Sequence, residues 1–282
     1  MRVEIPSVEG PVVLRAVLDA AREHGVSINR VSQGSGAMLL TGRELTEMAR
    51  LGADHGVEVC LFVGPRASWD TGVLAHSPSG GPLIGAIRGS AQMRLALADV
   101  ERAVEYGFRS FLVADLGLLR ELRARQASGD LPANICWKIS AYLAAANPAM
   151  LQVLAELGAT TVNVPADLSV VQVSELRGAV NLPLDIYVEA PDGMGGTVRL
   201  MELAALVAAG APLHAKFGLA NAPSVYPAGK HIEHLALAAG VEKVRRAAIA
   251  IEWLQRFAPN VVQSEQGAVG TFVPVPAPRD AA

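Results

Sequence analysis

Five times along this chain an apolar-periodic helix stops at a glycine and a short apolar strand begins almost at once. The joints are AREHG-VSINRV, GADHG-VEVCLFV, VEYG-FRSFLVA, AELG-ATTVNV and VAAG-APLHAKF, with stops at Gly25, Gly56, Gly107, Gly158 and Gly210. Glycine relieves the left-handed conformation in which many helices end, so each joint is a physical stop signal. Helix starts are marked as well. Thr41 and Glu44 have capping-box spacing, and Asn147-Pro148 puts a cap residue before a proline at the first helical position.

Read with this grammar, strands begin near Val3, Ile28, Val57, Phe111, Asn134, Thr161, Leu184 and Leu213. Helices follow near 11–24, 42–55, 91–106, 117–128, 148–157, 169–179, 197–209 and 240–257. Alternating strands and helices with short returns call for parallel strands and crossover helices. Eight such units predict an α/β fold, a (β/α)8 TIM-type barrel over 1–260, with 261–282 as a C-terminal tail or arm. An open doubly wound sheet is the alternative, but no GxGxxG follows the first strand.

Composition fits a folded, water-facing protein: 51% hydrophobic and 18% charged, with a formal net charge of -3. That charge gives no electrostatic reason to expect a nucleic acid or an anionic membrane. No apolar run is long enough to span a bilayer and no secretory signal opens the chain, so a cytoplasmic location is expected. The aperiodic tail reads as an arm toward a second subunit in a homo-oligomer.

Several strands end in one charged or amide side chain: Asp115, Lys138, Asn163, Glu189 and Lys216. In a closed parallel barrel these meet around the face where barrel active sites form. Strand alternation puts Asp185, Tyr187 and Glu189 on one face of their strand, His214 with Lys216 on one face of theirs, and Thr161 with Asn163 likewise, as candidate inward positions. Lys138, Glu189, Lys216 and Asp115 are therefore the expected catalytic groups. Asn163, Arg30, Gln33 and Tyr187 are expected to touch a small, polar, anionic substrate. Gly195 and Gly196, in EAPDGMGGTVR, and Lys230 and His231, in YPAGKHIEH, mark candidate anion loops. Glu4, Asp115 and Glu189 offer hard oxygen ligands for magnesium or manganese. A structural ion-pair network filling the lumen is the alternative to an acid/base constellation.

Two long Gly/Pro-rich connections, 64–89 and 218–234, follow strands and are expected to cover that face. The two cysteines, Cys60 and Cys136, lie in apolar runs and read as buried thiols. They are too few for an iron-sulfur cluster of four cysteines.

The passage KISAYLAAANPAMLQVLAELGATTVNVPADLSVVQVSELR, followed by LPLDIYVEAPDG, resembles the U32 peptidase (collagenase-like protease) family. Asp185 and Tyr187 stand at the acidic and aromatic positions of that family's Glu-x-Phe-x-x-Gly strand, and Ala190 replaces its glycine. The family continues into a cysteine-containing segment where this chain has DGMGG. The resemblance implies a barrel and a hydrolase. The polar ring independently suggests a hydrolase or lyase using acid/base groups. Schiff-base lyase chemistry through Lys138 or Lys216, and a non-catalytic barrel subunit of a complex, are the alternatives.

Overall fold

The computed structural model describes residues 1–67, 72–77, 80 and 83–277. Eight parallel strands close into one barrel in chain order: β1 (Arg2–Pro6), β2 (Arg30–Gln33), β3 (Glu58–Phe62), β4 (Ser110–Val113), β5 (Cys136–Ile139), β6 (Thr161–Asn163), β7 (Leu184–Glu189) and β8 (Leu213–Phe217). β8 pairs with β1 through Glu4 and Lys216, which closes the ring. Each strand is followed by its helix: α1 (Pro11–His24), α2 (Gly42–Asp54), α3 (Gly89–Glu105), α4 (Leu116–Ser128), α5 (Pro148–Glu156), α6 (Val170–Ala179), α7 (Leu203–Gly210) and α8 (Glu233–Phe257). The predicted (β/α)8 architecture is the observed one. Among the described residues, no helix is long and apolar enough to cross a membrane.

Gly25, Gly56, Gly107 and Gly158 take the expected positive φ, whereas Gly210 stays within α7 and the helix ends at Ala211 in extended backbone. Thr41 and Glu44 form a reciprocal capping box, and Asn147 accepts from the Met150 amide. Two helix starts differ from expectation. α7 begins later, after a 3₁₀ turn at Leu200–Glu202, and α8 begins earlier, at Glu233. The Gly/Pro-rich approach to α8 hides an ion pair between Lys230 and Glu233 (2.5 Å) that supports its first turn.

Strand alternation separates two interiors. Val3, Ile5, Val31, Val59, Phe111, Trp137, Val162, Ile186 and Ala215 face outward into one apolar core shared with the helices. The positions between them point into the lumen, and most are polar: Glu4, Arg30, Ser32, Glu58, Ser110, Lys138, Thr161, Asn163, Asp185, His214 and Lys216 are all buried.

Below β1 and β3 the end of the chain folds back on this barrel. Gly267 N donates to Gly56 O (2.8 Å), Val275 N to Gly107 O (2.7 Å), and Phe272 N to the Glu58 carboxylate (3.1 Å). Arg2 and Asn29 reach down to carbonyls of Gly270 (2.9 Å) and Glu265 (2.8 Å). The lumen is thus stoppered at its N-terminal end.

Gly107 has φ +95°, and a Cβ there would lie 2.3 Å from the Val275 oxygen. Gly107→Ala is expected to cost more than about 1 kcal/mol in urea denaturation, and to open residues 262–277 to limited proteolysis. An unchanged cleavage pattern would show that this contact does not hold the stopper.

Candidate active site

The lower lumen is filled by charge. Arg30 Nε donates to Glu58 (2.6 Å), while its Nη1 reaches both oxygens of Asp185 (3.1 and 3.2 Å) and Glu4 (3.3 Å). Lys138 Nζ bridges Glu4 and Asp185, the latter at 3.1 Å. Lys216 Nζ lies 3.4 Å from the other Glu4 oxygen, and Ser32 donates to that same oxygen. Ser110 and Thr161 hydroxyls donate to Glu58 (2.6 Å) and Asp185 (2.9 Å). His214 Nδ1 stands 2.9 Å from Asp185. Glu4, Glu58 and Asp185 therefore balance Arg30, Lys138 and Lys216.

Burial by itself raises a carboxyl pKa, but the enclosed cations reverse it here. Lys138, Lys216 and Arg30 hold Glu4 well below the carboxylate range. Lys138, Arg30 and His214 do the same for Asp185. Arg30, His214 and the Ser110 hydroxyl lower Glu58. Burial and the nearby Arg30 lower His214, against the pull of Asp185. Burial pushes the Cys60 thiol up to about 12 and raises Cys136 well above the usual thiol range, so neither is a thiolate at neutral pH.

Above this network opens a cavity of about 370 Å³ at the C-terminal ends of the strands. Its floor carries Lys216, Asn163 and Tyr187, and its walls include Gln33, Phe62, Arg66, Tyr142, Met194, Tyr226 and Lys243. The Asn163 amide satisfies its neighbours in one orientation, its nitrogen donating to the Asp185 carbonyl (3.1 Å) and its oxygen accepting from Lys216 Nζ (2.8 Å). The ammonium also lies 4.3 Å from the centre of the Tyr187 ring. Arg66 stacks over Phe62 at 3.8 Å and donates to Gly34 O (2.6 Å), and burial brings it down to about 10. Gln33 braces its own loop through the Gly36 amide (2.8 Å) while lining the wall. The β8–α8 connection is tied across the mouth where Tyr226 Oη donates to Ser7 Oγ (2.7 Å) and Ala228 N to Ser35 Oγ (2.9 Å).

The structure brings Lys216, Asn163, Tyr187 and Gln33 to this cavity. Lys138 and Arg30 lie beneath it, held between carboxylates. Glu189 does not join them. A register irregularity between Tyr187 and Glu189 breaks the alternation, and its carboxylate accepts from Ala220 N (3.1 Å) with Arg246 of α8 at 3.9 Å. Asp115 is the N-cap of α4, accepting from Leu118 N (2.9 Å) and clasping the incoming loop at Ile87 N (3.0 Å). Glu4, Asp115 and Glu189 thus have three separate sets of partners and do not converge as metal ligands. Among the described residues, no group of three or more His, Cys, Asp or Glu side chains is placed to hold a metal ion.

Gly195 and Gly196 carry no open anion nest, because their amides close a turn onto Asp192 O (3.0 Å) and Pro191 O (3.2 Å). Lys230 pairs with Glu233 and Glu44 on the surface, and the neighbouring His231 is also exposed. Sequence reasoning missed Lys243 and Arg66. Lys243 falls on the buried stripe of α8, three residues after Gly240 and four before Ala247, which was a readable signal. Arg66 lies in an irregular loop with no periodicity to expose it.

A polar-lumened (β/α)8 barrel with a cavity on its C-terminal face is the class that fold and site define. Solved structures agree with that fold. A truncated 3-deoxy-D-arabino-heptulosonate 7-phosphate synthase from Thermotoga maritima is 13% identical, with 93% of this chain and 89% of that one covered and a TM-score of 0.50. A U32 peptidase is 18% identical, covering 67% of this chain and 70% of that one, with a TM-score of 0.44. The synthase likeness shows the fold alone. No family model and no curated protein matches the chain.

Removing one charge from the network leaves others buried and unmatched, so Glu4→Gln is expected to cost about 3–5 kcal/mol in chemical denaturation. All three carboxyl pKa values are depressed by folding, so their stabilisation is complete above the unfolded values and is lost as pH falls through the folded ones. The thermal midpoint should therefore fall steeply below about pH 4. A midpoint flat down to about pH 3 would contradict the network.

Proposed function

We propose that this protein is a barrel enzyme for a small substrate that joins an anionic group to an apolar body, with Lys216 as the acid/base group at the cavity floor. The supporting observation is charge asymmetry. Among the described lining residues the charged side chains are Arg66, Lys216, Lys243 and the single carboxylate Asp192, which already accepts from Asn221 N (2.9 Å). Desolvated cations facing one cavity favour a carboxylate or phosphate, and the aromatic walls favour an apolar remainder.

Lys216 has the contacts of an acid/base group. Glu4 and Asn163 engage its ammonium from below and beside it, leaving a donor for an oxygen in the cavity. From there it would stabilise a developing oxyanion or enolate and return a proton, the role needed in a lyase or hydrolase reaction. The U32-like passage supports the hydrolase form of this reading. The amide of Asn163 fixes the amine's position, and the Tyr187 ring shields it from water.

A thermal-shift screen of small carboxylates, phosphates and uncharged analogues tests the reading. Anions carrying an apolar group should raise the melting temperature, and Lys216→Met and Arg66→Met should each reduce that shift by most of its value. Lys230→Met, on the surface, should not. Equal stabilisation by uncharged analogues would sink the proposal.

A further inference from the structure

The chain has four lysines against twenty arginines, and three of the four are inside. Lys138 and Lys216 belong to the balanced network. Lys243 does not. It sits on α8, is 4% exposed and lines the cavity wall near Ala236 and Ala239. Its one hydrogen bond among the described residues goes to the Pro6 carbonyl at 2.9 Å, and none of their carboxylates forms an ion pair with it. The charged group acting on it is Glu9, whose own oxygens are occupied by the Gly34 and Ser35 amides (2.6 and 3.2 Å).

From this placement we infer that Lys243 is a reactive amine that forms an imine with a carbonyl group of a ligand in the cavity, the ligand class being small oxo acids. A neutral amine still donates one N–H to Pro6 and keeps a lone pair for an electrophile, whereas an ammonium there leaves two donors without protein acceptors. Burial also lowers its pKa to about 8, only partly offset by Glu9, so the amine is mostly charged near neutral pH with a minor neutral fraction available to attack. Arginine, which never deprotonates, cannot take this role.

The step balances simply. The Lys243 nitrogen attacks the carbonyl carbon, the carbonyl π pair moves to oxygen, and the carbinolamine expels water with both amine protons to leave C=N. Protonated, that imine draws electrons from an adjacent bond, which suits cleavage or elimination next to the former carbonyl. The amine chemistry stands apart from the role assigned to Lys216, while the oxo-acid preference rests on the anion-binding reading.

Reductive trapping separates the two. Wild-type protein is treated with glyoxylate and sodium cyanoborohydride, and adducts are located by peptide mass spectrometry. Lys243 should acquire a carboxymethyl group at least about tenfold faster than exposed Lys230 at pH 7.5, and its rate should climb through about pH 8. Lys243→Met should lose this adduct yet keep a normal melting temperature, since the Glu9 oxygens stay held by the Gly34 and Ser35 amides. Labelling of Lys230 without Lys243 in the folded protein would overturn the inference. An uncharged aldehyde that traps Lys243 as fast as glyoxylate would keep the amine and reject the oxo-acid preference.

Discussion

Glu4, on the first strand, meets Arg30 from the second, Lys138 from the fifth and Lys216 from the eighth in one buried space. Taking these charges out of water costs several kcal/mol each, and only near-complete mutual pairing makes the interior tolerable. Ordinary barrels fill this volume with branched apolar side chains. Here the apolar packing lies outside the strands, against the helices, and the centre is ionic. The network then requires exclusion of water from below and leaves its uppermost amine at the base of the cavity.

This division of labour explains which parts of the molecule were legible in the sequence. The eight units follow from local rules, helix periodicity and glycine stops, so the architecture could be read directly. Lys216, Asn163 and Tyr187 followed from strand parity because their strands stay regular up to those positions. Glu189 lies just past a register slip that no composition announces. Asp115 looks like a strand-end acid in the same way as a catalytic residue does, yet its oxygens serve a helix start and a loop. The glycine-rich DGMGG segment suggested free amides, but a short turn consumes them. Whether a lysine is sealed in the network or open to the cavity is a matter of depth along the barrel axis, and the linear pattern does not encode that depth.

The separation of lysine from arginine gives the interior its chemical character. Arg30 anchors the network because its charge is permanent and its fork reaches three carboxylates. Lys216 and Lys243 occupy the boundary with the cavity. They differ in company: one is held by a carboxylate and an amide, the other by a single carbonyl.

The stopper beneath the barrel also has a temporal side. Glu58 receives the Phe272 amide from 214 residues further along the chain, so the lower end of the third strand completes its contacts only with a late segment. During synthesis on a ribosome, the acidic and basic side chains of the lumen must wait in water until β8 and the tail emerge. Closure through contacts so distant in sequence points to a late, concerted assembly rather than a strand-by-strand growth.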